Sequence, residues 1–228
     1  MIKFLKNLLK SERNTFKDKP NFQELILSKE IQQLFKSFNS YSKNAELRFV
    51  GGCVRNLISD EKVDDIDLST NLKPENVIEI LKNSKINYFD SGIDHGTVTA
   101  VINKKSFEIT TLRKDIKTDG RHADVKYTED WLEDASRRDF TINSIYSDIE
   151  GNLFDPFNGK KDLRDGKIKF IGDPSTRIKE DYLRILRYIR FFLGYNKNQQ
   201  HNNIIKIIKQ NLTGLNKVSK ERQLQELK

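Results

Sequence analysis

Cysteine is nearly missing from this chain: Cys53 is the only one in 228 residues. One thiol cannot close an internal disulfide. That excludes the disulfide-stapled secreted class and leads us to expect a reducing compartment, the cytoplasm. Cys53 stands beside two glycines and reads as a small core residue. Histidine is scarce too. His95, His122 and His201 share no metal-ligand spacing, so no imidazole-held metal is expected. No apolar run approaches the roughly 20 residues of a spanning helix, and the N-terminal MIKFLK lacks the apolar core of a signal peptide, so no membrane segment is expected. Acidic residues are outnumbered, 33 against 41 Lys and Arg, for a net charge of +8. That balance suits a polyanionic partner, or solubility alone. The length allows one large domain or two small ones.

What is present centres on residues 49–70, FVGGCVRNLISDEKVDDIDLST. The apolar run at 47–50 reads as a buried strand, and Gly51-Gly52 as a tight turn into a helix over 53–58. Glycines between strand and helix let a phosphate approach bare backbone N–H groups. Residues 64–68 read as a second strand. Alternation then puts Asp65 and Asp67 on one face and Ile66 and Leu68 in the core. Two carboxylates so placed repel, and a divalent cation removes the conflict. Oxygen ligands suit Mg²⁺, which also recruits phosphate oxygens, and two such ions roughly 3.5–4 Å apart can clamp a phosphoryl transfer. A lone Asp-x-Asp is more often a loop acid. Gly-Gly-x-x-Arg just upstream favours the functional reading.

Elsewhere the periodicity predicts a short amphipathic helix within 1–20 and a helix over 22–38. It predicts a helix opened by Pro74, with Asn71 as its cap. A hairpin is expected over 90–112, with strands at 96–102 and 107–112 and a turn at 103–105. Glu108 would face away from Phe107 and Ile109, as a third carboxylate beside Asp65 and Asp67. Residues 113–130 have no hydrophobic period and read as a working loop or disorder. Residues 131–146 read as a helix carrying Arg137-Arg138-Asp139 and Asn143, which can bind phosphate and ribose hydroxyls, or be an ordinary salt-bridged helix. A turn at 155–159 and a strand over 168–171 follow. Residues 179–193 read as one amphipathic helix. Leu183, Ile185, Leu186, Ile189, Phe192 and Leu193 form its apolar side, and Glu180, Arg184, Arg187 and Arg190 its polar side, with Asp181 at the edge. The arginines suit a triphosphate and a base edge, or a solvated stripe with Glu180–Arg184 pairing. Helices over 203–212 and from 219 close the chain.

In order, VGGCVRN, VDDIDLST, RRDFTINS, DPFNGKKDL and EDYLRILRYIRF resemble the motifs of the class II tRNA nucleotidyltransferases and poly(A) polymerases, polymerase-β-like nucleotidyltransferases. VSKERQLQEL resembles a later motif of that family. The resemblance implies an α+β head, a small mixed sheet with helices, followed by an all-helical neck. The corresponding boundaries are an N-terminal helical segment 1–44, a catalytic head 45–170 and a nucleotide-recognising neck 171–228. It places the family's body and tail beyond the end of the chain. It implies that Asp65 and Asp67 hold the catalytic Mg²⁺, and Glu108, read from the strand alternation above, joins them as a candidate catalytic acid. Gly51, Gly52 and Arg55 would seat the triphosphate. Arg138, Asp139 and Asn143 would contact phosphate and ribose, and Asp181 and Arg184 the base edge. Arg187 and Arg190 would meet phosphates or pack behind. Residues 113–126 would be the flexible loop that helps switch from adding C to adding A. Asn56 stands where the family usually has Asp, in a position that supports Arg55.

The implied activity is addition of C and A to the 3′ end of tRNA from CTP and ATP, with release of pyrophosphate. A poly(A) polymerase or a CC- or A-adding relative shares the fold, but the GRRF-type stretch of bacterial poly(A) polymerases is missing after the hairpin. A non-catalytic RNA-binding module would have no use for Asp65 and Asp67.

Overall fold

The computed structural model describes residues 20–118, 123–196 and 202–227. The expected helix within 1–20 falls almost wholly outside them, as do His122 and His201. Two helices come first, α1 (Pro20–Leu27) and α2 (Lys29–Tyr41). They replace the single helix expected over 22–38, because Ser28 turns extended and its hydroxyl accepts the Ile31 amide at 3.4 Å, starting a new helix. Strand β1 (Leu47–Val50) runs into α3 (Gly52–Ser59). Then follow β2 (Asp67–Thr70), α4 (Pro74–Asn83), β3 (Asn87–Phe89), β4 (Thr97–Ile102) and β5 (Lys105–Thr111). Lys73, not Asn71, caps α4. Asn71 instead fastens the entry to β1, accepting from the Glu46 amide at 2.9 Å and donating to the Asn44 carbonyl at 2.8 Å.

The expected hairpin is β4–β5. Asn103 and Lys104 both sit at positive φ, 51° and 66°, as a two-residue turn matched to strand twist requires. Residues 113–130, expected to be a working loop or disordered, are ordered on either side of 119–122. Their ends pair as an antiparallel ribbon of β6 (Arg113–Thr118) and β7 (Ala123–Tyr127), around the undescribed 119–122. Backbone pairing needs no hydrophobic period, so the pattern missed it. The ribbon is seated by Arg113 donating to the His95 carbonyl and by Lys114 pairing with Glu133 at 2.9 Å.

Helix α5 (Trp131–Arg137) is half the length expected. Arg138 is extended, and Phe140 makes a lone bridge to Phe170, which is all that forms of the strand expected over 168–171. A 3₁₀ turn, Thr141–Asn143, leads to β8 (Tyr146–Ser147) and β9 (Leu153–Phe154). The sheet order is β3-β4-β5-β2-β1-β8-β9, and only β2 and β5 run parallel. Next come α6 (Gly159–Arg164), α7 (Pro174–Glu180) and α8 (Leu183–Tyr195). The helix expected over 179–193 is therefore broken: Asp181 is extended, and its carboxylate accepts the Leu183 amide at 3.1 Å. The buried stripe of α8 is Leu183, Ile185, Tyr188 and Phe191, whereas Ile189 and Leu193 are exposed. Aromatic stacking rotated that stripe. Tyr188 stacks on Phe170 at 5.8 Å, and Phe191 meets Phe140 edge-on at 5.6 Å. Helices α9 (Asn202–Asn211) and α10 (Lys220–Leu227) follow, the latter begun by the Ser219 hydroxyl accepting the Arg222 amide.

One core packs α1–α4 on the sheet through Phe22, Phe38, Phe49, Leu57, Leu81 and Ile109. Cys53 lies within it, as expected of a small core residue. A second joins Phe140, Leu163 and Phe170 to Ile178, Ile185, Tyr188 and Phe191. Among the described residues no helix is long and apolar enough to cross a membrane. Gly159 sits where α6 crosses the 3₁₀ turn, and a Cβ there would stand 2.0 Å from the Thr141 carbonyl oxygen. Backbone cannot give way as a side chain can, so Gly159→Ala should cost about 1–3 kcal/mol in urea unfolding. An unchanged midpoint would refute that reading of the crossing.

Candidate active site

Gly51 forms the hinge between β1 and α3. Its φ of 67° and ψ of −124° suit glycine, and its amide donates to the Ile145 carbonyl. Two arginines end on this bare backbone. A Cβ at Gly51 would lie 3.7 Å from Arg138 Nη1, and one at Gly52 would lie 3.6 Å from Arg55 Nη2. Arg55 comes from the first turn of α3. It donates to Asn143 Oδ1 at 2.6 Å, to the Tyr195 hydroxyl at 3.1 Å and to Asn56 Oδ1 at 3.3 Å. Its guanidinium also lies 4.8 Å from the centre of the Phe191 ring. Asn56 thus supports Arg55, as expected.

The carboxylates lie alongside. Parallel pairing of β2 with β5 sets Asp67 opposite Glu108. Asp65 is not on that strand. It sits in a bend before Asp67, exposed, because no strand lies opposite it. Ile66 and Leu68 pack on the core as expected. Burial holds the Asp67 carboxyl above its ordinary range, and the charges of Glu108 and Asp65 add to this, while Arg138 and Arg55 oppose it. Asp65, Glu108, Arg55 and Arg138 therefore all act on Asp67. Among the described residues no three His, Cys, Asp or Glu side chains converge to hold an ion by themselves. Mg²⁺ is usually held by one or two carboxylates together with substrate phosphates. A crowded carboxylate with an exposed second acid beside it fits that donor set.

Arg138 is held from behind. Asp134 accepts from its Nε and Nη2, both at 3.1 Å, and from the Tyr146 hydroxyl at 2.6 Å. Arg137 also pairs with Asp134, at 2.8 Å. Asp139 is buried and accepts the Phe140 amide, Asn143 Nδ2 and Arg187 Nη1, the last at 2.7 Å. Burial would raise its pKa, but Arg187 and Asn143 bring it below the usual range. Arg187 and Arg190 both reach Glu226 on α10, at 3.0 and 2.6 Å. One hydrogen-bonded line thus runs Arg55–Asn143–Asp139–Arg187–Glu226.

Asp181 and Arg184 stand apart from this line. Asp181 is the break before α8, not a position on a helix face, and its other oxygen accepts from Arg222 at 3.1 Å. Arg184 donates through Nη1 to Glu180 and to the Arg177 carbonyl, at 2.6 and 2.7 Å. This is the Glu180–Arg184 pairing foreseen for a plain charged stripe. Its Nε and Nη2 make no hydrogen bond among the described residues. Arg177 in turn donates to the carbonyls of Arg137 and Arg138.

Sequence reasoning missed the supports. Asp134 was findable, since it precedes the two arginines by one helical turn. Tyr195 and Glu226 carry no local signal, because their partners are distant in the chain, and Tyr146 lies beyond the end of the helix that carries its partner Asp134.

A sequence profile described as the Poly A polymerase head domain matches residues 47–169. CCA tRNA nucleotidyltransferase 1, mitochondrial, of Homo sapiens is 44% identical over 214 residues, which cover 92% of this chain and 48% of that protein. A CCA-adding enzyme of Lactobacillus helveticus is 41% identical over 181 residues, covering 78% of this chain and 44% of that one. Among solved structures, the Bacillus stearothermophilus CCA-adding enzyme in complex with CTP superposes with a TM-score of 0.76 at 32% identity, covering 92% of this chain and 48% of that one. A tRNA nucleotidyltransferase complexed with a primer tRNA and an incoming ATP analog gives 0.66 at 26%, covering 85% and 54%. The chain spans about half the length of the curated relatives it matches.

Asp134 offers a test of the arginine mounting. Burial pushes its carboxyl up, but Arg138, Arg137 and Tyr146 prevail and bring the pKa down to about 2. A depressed acid stabilises the fold above its unfolded pKa of about 3.9, and that stability is lost as pH falls through the folded value. Asp134→Asn should cost about 1.5–3 kcal/mol at neutral pH, since it leaves two half-buried arginines without their acid. The gap from wild type in urea unfolding should narrow as pH falls from about 4 toward 2. A gap independent of pH would show that the charge is not what matters.

Proposed function

Because the chain belongs to the family of the Poly A polymerase head domain, we propose that it transfers nucleotides, adding C and A from CTP and ATP to the 3′ end of tRNA. The observation that carries this reading is the pair of arginines, Arg55 and Arg138, ending on the bare Gly51-Gly52 backbone beside Asp67 and Glu108. A triphosphate needs cations and unobstructed amides, and the transferring centre needs acids at its side. The single buried thiol suits a reducing compartment, either the cytoplasm or the mitochondrion in the name of the human relative.

In this reaction the RNA 3′-hydroxyl attacks the α-phosphate and pyrophosphate leaves. Arg55 and Arg138 orient the triphosphate against Gly51 and Gly52, and their fixed charges meet the negative charge that builds on the leaving phosphates. Asp139 and Asn143 hold the ribose side, kept in place by Arg187, with Arg190 braced behind on Glu226. Asp67 and Asp65 would hold Mg²⁺. When bound there, the ion neutralises phosphate charge and makes the attacking hydroxyl more acidic. Glu108, opposite Asp67, is a like charge that disfavours the ionised Asp67 and so strengthens its demand for a cation. The head at 45–170 carries this chemistry, and the helical neck at 171–228 carries base choice.

The base edge falls to Asp181 and Arg184. Asp181 has lone pairs beyond the two it uses, and Arg184 keeps Nη2 uncommitted. C and A each offer an exocyclic amine donor beside a ring nitrogen acceptor, while U and G offer the reverse.

The direct test is incubation with tRNA lacking its 3′ CCA, each NTP in turn, and sequencing of the products. Asp67→Ala should lower transfer about a thousandfold or more, some 4 kcal/mol of barrier, with the fold retained. Near-normal turnover would remove Asp67 from the reaction. Asp181→Ala and Arg184→Ala should let UTP and GTP compete. Each mismatched hydrogen bond is worth about 1–3 kcal/mol, so selectivity should fall roughly a hundredfold while total transfer falls less than for Asp67→Ala. Unchanged selectivity in both variants would move base recognition elsewhere.

A further inference from the structure

Beside the arginine seat lies a groove that none of these roles uses. It measures about 720 Å³ and is walled by α3, α6 and the C-terminal turn of α8. Ile58 and Leu163 contribute apolar surface, Lys160 and Lys161 positive charge, and Gly194 and Tyr195 the end of α8. Neither lysine forms a salt bridge among the described residues. Asp155 also lines the groove, but its two oxygens accept the Gly159 and Lys160 amides at 2.7 and 2.9 Å, so its charge is spent on the chain itself.

Gly194 is the second observation. Glycine inside a helix is unfavourable relative to alanine. Its φ is not positive, and a Cβ there would meet no atom within 4 Å. Neither the backbone nor the packing calls for glycine, and what its bare face gains is room in the groove. Tyr195 ties the groove to the site, since its hydroxyl accepts from Arg55 Nε and donates to Glu61.

We infer that this groove takes a sugar-phosphate stretch of the RNA acceptor, upstream of the 3′ end presented at Gly51-Gly52. The inference rests on the transfer reading above. Two lysines that hold no salt bridge among the described residues meet phosphates as point charges. Tyrosine and aliphatic surface suit ribose and base faces. An exposed helix face without a Cβ lets a backbone come close.

The test uses the whole chain and a fluorescent acceptor-stem RNA lacking its 3′ CCA, titrated over a series of salt concentrations. Lys160→Ala with Lys161→Ala should weaken RNA binding about tenfold. Loss of two phosphate contacts should flatten the slope of log K against log salt by about 1.4–1.8, at roughly 0.7 per single-stranded and 0.9 per duplex phosphate. Gly194→Phe should fill the groove and weaken RNA binding severalfold with little change of slope, and its melting temperature should not fall. CTP affinity should hold in both variants. Unchanged RNA affinity and slope in both would overturn the assignment. So would a parallel loss of CTP affinity, which would make the groove part of the nucleotide seat. Displacement of the RNA by polyglutamate as readily as by unlabelled RNA would overturn it too, pointing to an acidic protein segment. Failure of the transfer reading is seen separately: wild type that binds this RNA through the groove but incorporates neither CMP nor AMP would overturn the reaction and leave the groove standing.

Discussion

Asp139 is a carboxylate exposed to only 7%, and a charge so placed has to be answered inside the fold. Its answers come from different parts of the chain. The Phe140 amide is its neighbour, Asn143 lies across the 3₁₀ turn, and Arg187 comes from α8. Asn143 hands the connection on to Arg55 in α3, and Arg187 hands it on to Glu226 in α10. One buried acid therefore fixes the spacing of a turn and three helices. Taking out any partner would strand a charge in a poor dielectric, so the arrangement holds as a set.

The same logic recurs at Asp134, buried behind Arg137 and Arg138. In both places the acid stands behind the arginine that approaches the glycine turn or braces it. A cation held this way does not have to find its rotamer when a polyanion arrives. Asp67 shows the opposite condition. Acids crowd it, and burial together with their charges disfavours its ionised form.

Local patterns made much of this readable. The strand, glycine turn and helix at 47–59, the β4–β5 hairpin and the burial of Leu68 follow from alternation and turn chemistry alone. Asp67, Glu108, Arg55 and Arg138 were legible as types at the right spacing. Where reading failed, a tertiary partner had decided. Alternation could not tell that Asp65 lacks a strand opposite it. Hydrophobic period could not find a ribbon held by its own backbone. Helical pattern ran through Ser28 and Asp181 because each stops one helix and starts another without interrupting the charge or apolar rhythm. The stripe of α8 was misjudged because Tyr188 and Phe191 were left out of the apolar set, while Phe140 and Phe170 wait for them across the core.

The parallel pairing of β2 with β5 carries a consequence for how the molecule comes into being. Antiparallel neighbours can zip from a turn, but β2 meets β5 only after α4, β3 and β4 have been laid down between them. Closing that span loses chain entropy before any contact returns it. The register that sets Asp67 opposite Glu108 therefore costs more chain entropy to close than the β4–β5 hairpin, which needs only a two-residue turn. The two like charges, 41 residues apart in the chain, are thus held side by side by the hydrophobic core that β2 and β5 share.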